Sequence, residues 1–489
     1  MALHTPFFDG FHRRLFGTPP RSALEELRPT DPAARSLSQL QSACGEFIPA
    51  KLLALAARGL NRRERFLPPL ITFWAFLAQV LAGSSCREAV RRLLAWLPAP
   101  SDPEAAAPAV STAAYCRARS RLPNATLENI HTHLATQLER ETPSAALWHG
   151  RQVRLIDGST MSMPDTAENQ ARWPQSANQK PGCGFPTIKC VALFCLASGA
   201  LLRRVYARLQ ESEQSLARQL WGLLQKGEIV VGDRGFCSYF DLRQLQQRGI
   251  DAVLRLTASR KVDFRHGKKL GRNDRLVTWT QPVRRGAWSE EEHAALPATI
   301  TLRLLRYRVA PRGCRSKEII VVTTLLDPVA YPLADLAELY RRRWEIELHW
   351  RECKTTLGMD QLRCQRPEMI EKELWLYGIA YNLVRAIMQR AAVIHHRPLE
   401  EISFQGTLDT LHRFADAMHE VADQPRKRAA LFARCLEAIA ADPLPQRPHR
   451  SEPRVLKRRP KAYGRLKVPR AEARAQATAP KKKNVRKPA

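Results

Sequence analysis

The sequence contains no closely spaced pair of cysteines and no long uninterrupted apolar run. Its 11 cysteines include no Cys-x-x-Cys pair, and the nearest group, Cys183, Cys190 and Cys195, fits no zinc pattern, so they are read as reduced cytosolic thiols. The N-terminus lacks the basic-then-apolar order of a secretory signal. The longest apolar stretch, 66–82, contains two prolines and a glutamine, and predicts a buried helix rather than a bilayer span.

Acidic residues are also scarce. The chain has 47 Asp and Glu against 78 Lys and Arg, a formal net charge of +31, which favours a polyanionic partner. Nucleic acid is the commonest such partner, and a membrane surface is the weaker alternative. The segment from Arg447 onward holds 16 Lys or Arg and two acidic residues, or 14 of the 31 charges. The rest of the chain is therefore basic as well, which predicts that the partner is bound in a shaped groove.

Residues 1–147 show apolar residues at helical spacing and no strand-like alternation, so this region is predicted to be helical and DNA-binding. Ser84 or Ser85 is expected to cap a helix beginning at Cys86, and Ser111 or Thr112 the next helix. These two short basic helices suit a unit resembling helix-turn-helix, or two ordinary surface helices. The spacing leaves both readings open.

The pattern changes near Gln152 to strand, strand, strand, helix, strand, which indicates an α/β core. A β-rich insertion follows, and then a core strand leads into a long helix that starts near Leu333. A second long helix is expected at 369–392. The predicted regions after the N-terminal one are 148–257 and 319–395 for the two parts of the core, 258–318 for the insertion, 396–445 for a helical region and 446–489 for a disordered basic tail.

The segment YRRRWEIELHWRECK carries the most informative charge pattern. On one continuous helix, a single narrow stripe would hold Tyr340, Arg343, Glu347 and Lys354, with Arg351 at its edge. Glu345, Glu352 and His349 would point elsewhere. A carboxylate between cations suits a metal ion beside a gripped phosphate chain, but the same pattern is typical of a solvated face with i,i+4 ion pairs. Spacing alone does not decide between them.

Two aspartates, Asp157 in VRLIDGST and Asp233 in EIVVGDRGF, are each expected at the carboxyl end of a buried strand. Ligands collect at that edge of an open α/β sheet, although a strand-end aspartate is also a frequent turn residue. Together with Glu347 they supply oxygen ligands that suit Mg²⁺ or Mn²⁺. Two such ions about 4 Å apart activate the attacking oxygen and stabilise the leaving oxygen of a phosphodiester.

These motifs resemble those of the DDE transposases of the bacterial insertion-sequence-four (IS4) family. The resemblance lies in IDGSTMSMPDTAENQARWPQ, QKPGCGFP, VGDRGF and the signature Y-x₂-R-x₃-E-x₆-K, and covers roughly residues 65–395. It implies a ribonuclease-H-like core interrupted by a β-rich insertion. It also implies cut-and-paste DNA transposition, in which metal-dependent cleavage at terminal inverted repeats proceeds through a hairpin and ends in strand transfer to target DNA.

The resemblance further implies roles for individual residues. Asp157, Asp233 and Glu347 would be the catalytic metal ligands, holding two Mg²⁺ or Mn²⁺ ions, and Tyr340, Arg343 and Lys354 would contact DNA. The implied partners are double-stranded transposon-end and target DNA and a second copy of the chain in the synaptic complex. The implied location is the bacterial cytoplasm at the nucleoid, away from membranes.

Other features are assigned from the residues themselves. Arg234 is expected to reach a phosphate or to pair with a carboxylate, and Arg351 to extend the DNA contact. The resemblance also implies that hairpin formation is helped by a base flipped against an aromatic side chain. Trp279 and Trp288 are candidates, although a tryptophan in a small β module more often packs in its core. Two alternative functions stay open, a catalytically silent DNA-binding regulator of transposition and a nonspecific metal nuclease.

Overall fold

A computed structural model describes most of the chain. The residues described are 44–45, 47–49, 51–53, 67–95, 111–257, 260, 262–283, 289–309, 317–421, 424–445 and 465–478. Before the first strand lie α1 Pro69–Leu81, α2 Cys86–Ala95, α3 Thr112–Ser120 and α4 Asn124–Arg140. The hydroxyl of Ser85 accepts a hydrogen bond from the amide of Glu88, and that of Ser111 from the amide of Ala114, so these serines are the caps.

α1 is buried along almost its whole length, which confirms the buried-helix interpretation of residues 66–82. Among the described residues, none of the helices has the length and apolar character needed to span a membrane.

The first part of the core follows the predicted order of elements. Its strands are β1 Val153–Ser162, β2 Thr187–Cys195, β3 Leu201–Arg208, β4 Ile229–Gly232 and β5 Asp251–Arg255. Its helices are α5 Ala167–Arg172, α6 Glu213–Trp221 and α7 Tyr239–Gln247. β1 pairs antiparallel with β2 and parallel with β4, while β4 pairs parallel with β5. The α/β class predicted from the sequence is confirmed.

The insertion lengthens this sheet. It contributes β6 Lys268–Gly271, β7 Asp274–Thr280, α8 Glu290–Ala294 and β8 Thr299–Val309, and β9 Lys317–Thr323 follows. In the described chain, the strands form one sheet in the order β3-β2-β1-β4-β5-β9-β8-β7-β6. Because β9 pairs with both β5 and β8, the inserted strands continue the core sheet beyond β9.

Helices cover both faces of the sheet. The remaining helices are α9 Leu333–Arg342, α10 Glu345–Arg351, α11 Pro367–Ile394, α12 Phe404–Glu420, α13 Pro425–Ala440 and α14 Arg470–Thr478. One apolar core lies between the sheet and α1, α4 and α11, and a second lies between the opposite face and α6 and α7. Asn382 of α11 bonds both the amide and the carbonyl of Leu201, which fixes this long helix against β3.

The expected continuous helix through the signature segment is wrong. α9 ends at Arg342 and α10 begins at Glu345, and between them the amides of Arg343 and Trp344 bond the carbonyls three residues earlier. After α10, residues Glu352–Thr356 form a π-helical turn. A three-residue period turns the chain about 120° per residue and a π turn rotates it less than an α-helix does, so angles computed at a uniform 100° do not hold across the segment.

The expected disorder of the whole C-terminal tail is also wrong for part of it. Residues 470–478 form α14, where the side chain of Gln476 donates to Glu472 one turn earlier. Four alanines, together with Arg, Glu and Gln, give this stretch a high helix propensity that outweighs its lack of apolar side chains. The rest of the tail, 446–464 and 479–489, lies outside the described residues.

Candidate active site

Asp157 and Asp233 lie on adjacent parallel strands. The parallel ladder between β1 and β4 ends with Ile156 opposite Gly232, and the next residue of each strand is the aspartate. Asp157 is not at the end of its strand, as the sequence suggested: β1 loses β4 at this point but stays paired with β2 through Ser162. The two carboxylates therefore emerge side by side where the parallel ladder ends.

Burial governs the charge of Asp157. Burial raises the pKa of its carboxyl to about 7, against a smaller lowering by the amide of Gly158 and the positive charge of Arg343. The negative charge of Asp233 raises this pKa further. Two carboxylates this close favour a cation between them.

Asp233 is held in place by its own turn. Its Oδ1 accepts a hydrogen bond of 2.7 Å from the amide of Gly235, which caps the 3₁₀ turn Arg234–Phe236. Gln214, on the first turn of α6, donates from Nε2 to the carbonyl of Gly235 over 2.7 Å. Arg234 is exposed and forms no ion pair with any residue in the described ranges, so pairing with a carboxylate is not what the structure records for it.

Arg343 lies between the signature glutamate and the first aspartate. It sits in the break between α9 and α10, and its guanidinium donates to Oε1 of Glu347 over 3.2 Å. The same guanidinium stacks near the ring of Tyr340, 5.9 Å from the ring centroid. Tyr340 is only 7% exposed, and burial raises the pKa of its hydroxyl. Tyr340 thus supports Arg343, while Arg343 interacts with both Glu347 and Asp157.

Lys354 joins the signature segment to β1. The π-helical turn that carries it is closed by a hydrogen bond from the amide of Leu357 to the carbonyl of Glu352. Its Nζ donates to the hydroxyl of Ser159 over 3.1 Å. Ser159 is two residues after Asp157, so both side chains project from the same face of β1. The lysine and the aspartate therefore share one surface.

The other residues of the signature segment separate into exposed and buried groups. Arg351 is exposed and without an ion pair in the described part of the chain. His349 is buried and stacks on Phe194 with ring centroids 5.4 Å apart. Trp344, which the sequence reasoning missed, is 54% exposed at the helix break beside Arg343. Its position directly after Arg343, about 40° from Tyr340 on a uniform helix, was the available signal.

The two tryptophans proposed for base stacking differ. Trp279 is buried in the core under the inserted strands, and the guanidinium of Arg260 lies 3.8 Å from its ring centroid. Its ring is therefore already covered. Trp288 lies outside the described residues.

The donor set of the site matches the ligand chemistry of a divalent cation only in part. Asp157 and Asp233 supply the hard oxygen ligands that Mg²⁺ and Mn²⁺ prefer, in a half-buried position with excess negative charge. Across the described residues, however, no three His, Cys, Asp or Glu side chains already form a metal-binding group. The two aspartates fit a divalent cation in chemistry, while Oε1 of Glu347 is bonded to Arg343.

The chain is similar to known proteins over the region that contains this site. The transposase DDE domain family matches residues 148–383, a range that contains both aspartates and the whole signature segment. "Transposase InsG for insertion sequence element IS4" of Escherichia coli (strain K12) is 28% identical over 437 residues, which cover 88% of this chain and 94% of that protein. "Putative transposase InsZ" of the same organism is 29% identical over 198 residues, covering 40% of this chain and 63% of that protein.

Among solved structures, a chain of the piggyBac transposase synaptic complex with hairpin DNA matches with a TM-score of 0.40 and 11% identity, over 88% of this chain and 86% of that one.

Proposed function

The chain belongs to the DDE transposases of the insertion-sequence-four family, and from this premise we propose that it performs cut-and-paste transposition of an insertion sequence. In this proposal it cleaves DNA at terminal inverted repeats in a metal-dependent reaction and transfers the freed strand to target DNA. The observation that carries the proposal is the arrangement of Asp157 and Asp233 beside each other where the parallel ladder ends, with Arg343 beside Asp157 and bonded to Glu347.

We propose that the core is ribonuclease-H-like. The order β3-β2-β1-β4-β5, with the first three strands antiparallel and β1, β4 and β5 parallel, supports this. In the same proposal, 148–257 and 319–395 form the core, 258–318 is the insertion before the glutamate, and 1–147 binds DNA.

In the proposed site, Asp157, Asp233 and Glu347 hold divalent cations, Mg²⁺ or Mn²⁺. When bound, such ions supply Lewis-acid activation of the attacking oxygen and stabilisation of the leaving one. The protein contributes the buried position of Asp157, which favours binding of positive charge, and the fixed turn that orients Asp233. Arg343 serves as the counter-charge of Glu347 and Asp157 until the cations and the DNA phosphate arrive.

DNA contact is proposed for the cations around this site. Lys354 is held on the Asp157 face of β1, and the exposed Arg234 and Arg351 can reach phosphates without breaking an ion pair within the described chain. Arg343 lies closest to the carboxylates. Tyr340 is too buried for broad contact with DNA, so its proposed part is to orient Arg343.

A hairpin intermediate is the finer part of the proposal. Bending the DNA end requires an aromatic surface for an extruded base, and base–aromatic stacking contributes about 1–3 kcal/mol. The exposed ring of Trp344 beside Arg343 supports this tryptophan as the stacking residue in preference to Trp279, whose ring is covered by Arg260.

The proposal is tested with labelled inverted-repeat DNA and Mg²⁺ in a gel assay. Asp157→Ala, Asp233→Ala and Glu347→Ala are each expected to abolish end cleavage while they retain specific binding of the end. Near-normal cleavage by any of the three would overturn its assignment. Binding without strand scission by the natural chain would favour the silent regulator, and cutting of unrelated DNA at the same rate would favour the nonspecific nuclease.

The same proposal includes two copies of the chain, one on each transposon end, acting on the bacterial nucleoid. Size-exclusion chromatography with light scattering, with and without inverted-repeat DNA, tests the stoichiometry. A single copy holding two ends would contradict the paired arrangement.

A further inference from the structure

A second basic surface lies away from the carboxylates. The loop between β1 and β2 and the C-terminal segment that begins at residue 465 enclose a cleft of about 1020 Å³. Six of the residues that line it carry the argument: Lys180, Arg465, Lys467, Arg470, Asp165 and Phe185. The two walls come from opposite parts of the chain, so the cleft exists only because the C-terminal segment packs against the core.

The loop wall is a built structure. Gln175 accepts from the amide of Gly184 and donates to the carbonyls of Gln179 and Lys180. Gln170 binds the amide of Gln175 and the carbonyl of Gly184. These bonds fix the shape of the loop before any ligand binds.

The C-terminal wall is in close contact with the loop. Gly182 has φ +74°, and a Cβ there would lie 3.2 Å from Cβ of Pro469. Only glycine gives both that backbone conformation and that close approach. Pro469 directly precedes α14, so the contact sets where Arg470 projects.

The cleft carries a large excess of positive charge. Lys180, Arg465, Lys467 and Arg470 form no ion pair with any residue that the structure describes. The only carboxylate among the lining residues, Asp165, accepts a hydrogen bond from Gln170 instead. Phe185 is 60% exposed at the edge. Four cations without partners around one cleft, with an exposed ring beside them, suit the phosphates of a nucleic acid strand.

The cleft lies along the same hairpin as the proposed active site. Ser162 at the end of β1 pairs with Thr187 at the start of β2, and the loop connects them. From Asp157 to Ser162 the strand advances roughly 17 Å, a span of about five nucleotides at 3.4 Å each. Lys354, bonded to Ser159, lies between the two ends of this path.

We propose that this cleft, which lies beyond Ser162, binds the DNA backbone about five or more nucleotides from the phosphodiester that is cleaved at Asp157, Asp233 and Glu347. The inference rests on the proposed function, because it takes the cleavage point as its origin. The C-terminal segment is then one wall of a DNA-binding site formed jointly with the catalytic core, rather than a general source of positive charge.

The first test removes the charge of the cleft in the full-length chain. The variant Arg465→Ala/Lys467→Ala/Arg470→Ala is compared with Arg426→Ala/Lys427→Ala/Arg434→Ala, which removes the same charge from exposed positions on α13. Binding of inverted-repeat duplex is measured from low to moderate salt. The cleft variant is expected to lose about 2 to 3 units from the slope of log K against log[salt], near 0.9 for each phosphate contact, and the control less than one unit. Equal slopes in the two variants would overturn the proposal.

The second test shortens the DNA. Duplexes are cut back from either side so that they end three or ten nucleotides from the cleavage point. The natural chain is expected to show a lower salt slope with the short duplex than with the long one, equal to the slope of the cleft variant. The cleft variant is expected to show the same slope with both duplexes. If the salt slope falls only when the duplex is shortened on one side of the cleavage point, the cleft holds the DNA of that side, which is either the transposon end or the flanking DNA. No length dependence on either side would overturn the proposal.

Failure of the two proposals can be told apart. If the natural chain cuts inverted-repeat DNA and the cleft variant binds with an unchanged slope, the cleft assignment is wrong and the transposase assignment stands. If the natural chain does not cut at all, the proposed function fails first.

Discussion

Arg343 donates a hydrogen bond to Glu347 over 3.2 Å, so the glutamate of the proposed metal site is held by an arginine four residues before it. Arg343 also interacts with the carboxylate of Asp157, whose pKa it lowers against the larger effect of burial. One guanidinium therefore neutralises two of the three proposed metal ligands. We therefore expect Arg343 to compete with a bound metal ion for these carboxylates.

The first prediction concerns this competition. Arg343→Ala frees Glu347, and it is expected to increase Mn²⁺ affinity in the absence of DNA by about two- to fivefold, the range set by an ion pair of up to about 1 kcal/mol. Arg343→Lys should stay close to the natural chain. Titration calorimetry measures the affinity directly. Unchanged or weaker Mn²⁺ binding by the alanine variant would show that Arg343 does not oppose the ion.

The second prediction concerns Lys354 as a phosphate contact. Lys354→Ala is expected to lower the salt slope of inverted-repeat binding by about 0.9 unit, since one condensed counterion fewer is released. Ser159→Ala, which removes only the hydrogen bond that Lys354 makes with β1, should keep the slope within half a unit of the natural value. An unchanged slope for Lys354→Ala would show that Lys354 does not contact a phosphate, and would favour the alternative that it belongs to a solvated helix face.

The third prediction follows from the raised pKa of Asp157. The folded-state pKa, about 7, is above the ordinary value of 3.8, so the folded protein binds the proton more tightly than the unfolded chain. Stability is then lost as pH rises from about 4 to 7, by up to about 4 kcal/mol. The Asp157→Asn variant has no ionisable side chain at this position, so its folding stability does not fall for this reason as the pH rises. Without metal, its melting temperature should exceed that of the natural chain at pH 8 and match it at pH 4.

The control for this measurement is Asp263→Asn. The hydrogen bond from the Arg265 side chain lowers the pKa of Asp263 to about 2, so removing this exposed carboxylate has no reason to stabilise the protein at pH 8. Adding Mg²⁺ should reverse the order of the natural chain and Asp157→Asn. A melting temperature for Asp157→Asn that is equal or lower at pH 8 without metal would contradict the burial argument.

The fourth prediction concerns Trp344. Trp344→Ala is expected to slow hairpin formation by about tenfold or more, in line with a stacking contribution of about 1–3 kcal/mol, and to leave the first nick intact. Trp344→Phe should recover much of the rate because it keeps an aromatic face. The neighbouring exposed Leu348→Ala is the matched control. The rate of hairpin formation is followed by denaturing gel and by 2-aminopurine fluorescence at the cleaved end. An equal loss of rate in Trp344→Ala and Leu348→Ala would reject the stacking role of Trp344.

Local patterns identified much of the fold. Alternating and continuous apolar runs predicted β1 to β4 in order, because strand and helix periods are properties of adjacent residues. The start of α9 at Leu333 and the long helix α11 were predicted for the same reason. Ser111 and Thr112 were both cap candidates by their position before a helix, and Ser111 is the cap.

Non-local features were not available to that reasoning. The inserted strands read as a separate β-rich module, but their hydrogen bonds with β9 make them part of the core sheet. The sequence made Trp279 a stacking candidate. In the structure its ring is covered by the guanidinium of Arg260, which is 19 positions away in the chain. The contact of Pro469 with Gly182 joins residues nearly 290 positions apart, and no local pattern encodes it.

The sequence by itself determined the residue types of the proposed site: two aspartates after apolar runs, and a glutamate with an arginine four residues before it. These are short-range facts of composition and spacing. Only the tertiary structure decided how they meet. The pairing of β1 with β4 brings Asp157 beside Asp233, and the packing of α10 against β1 brings Arg343 near Asp157. Strand pairing and helix packing depend on distant partners, which a local sequence pattern does not specify.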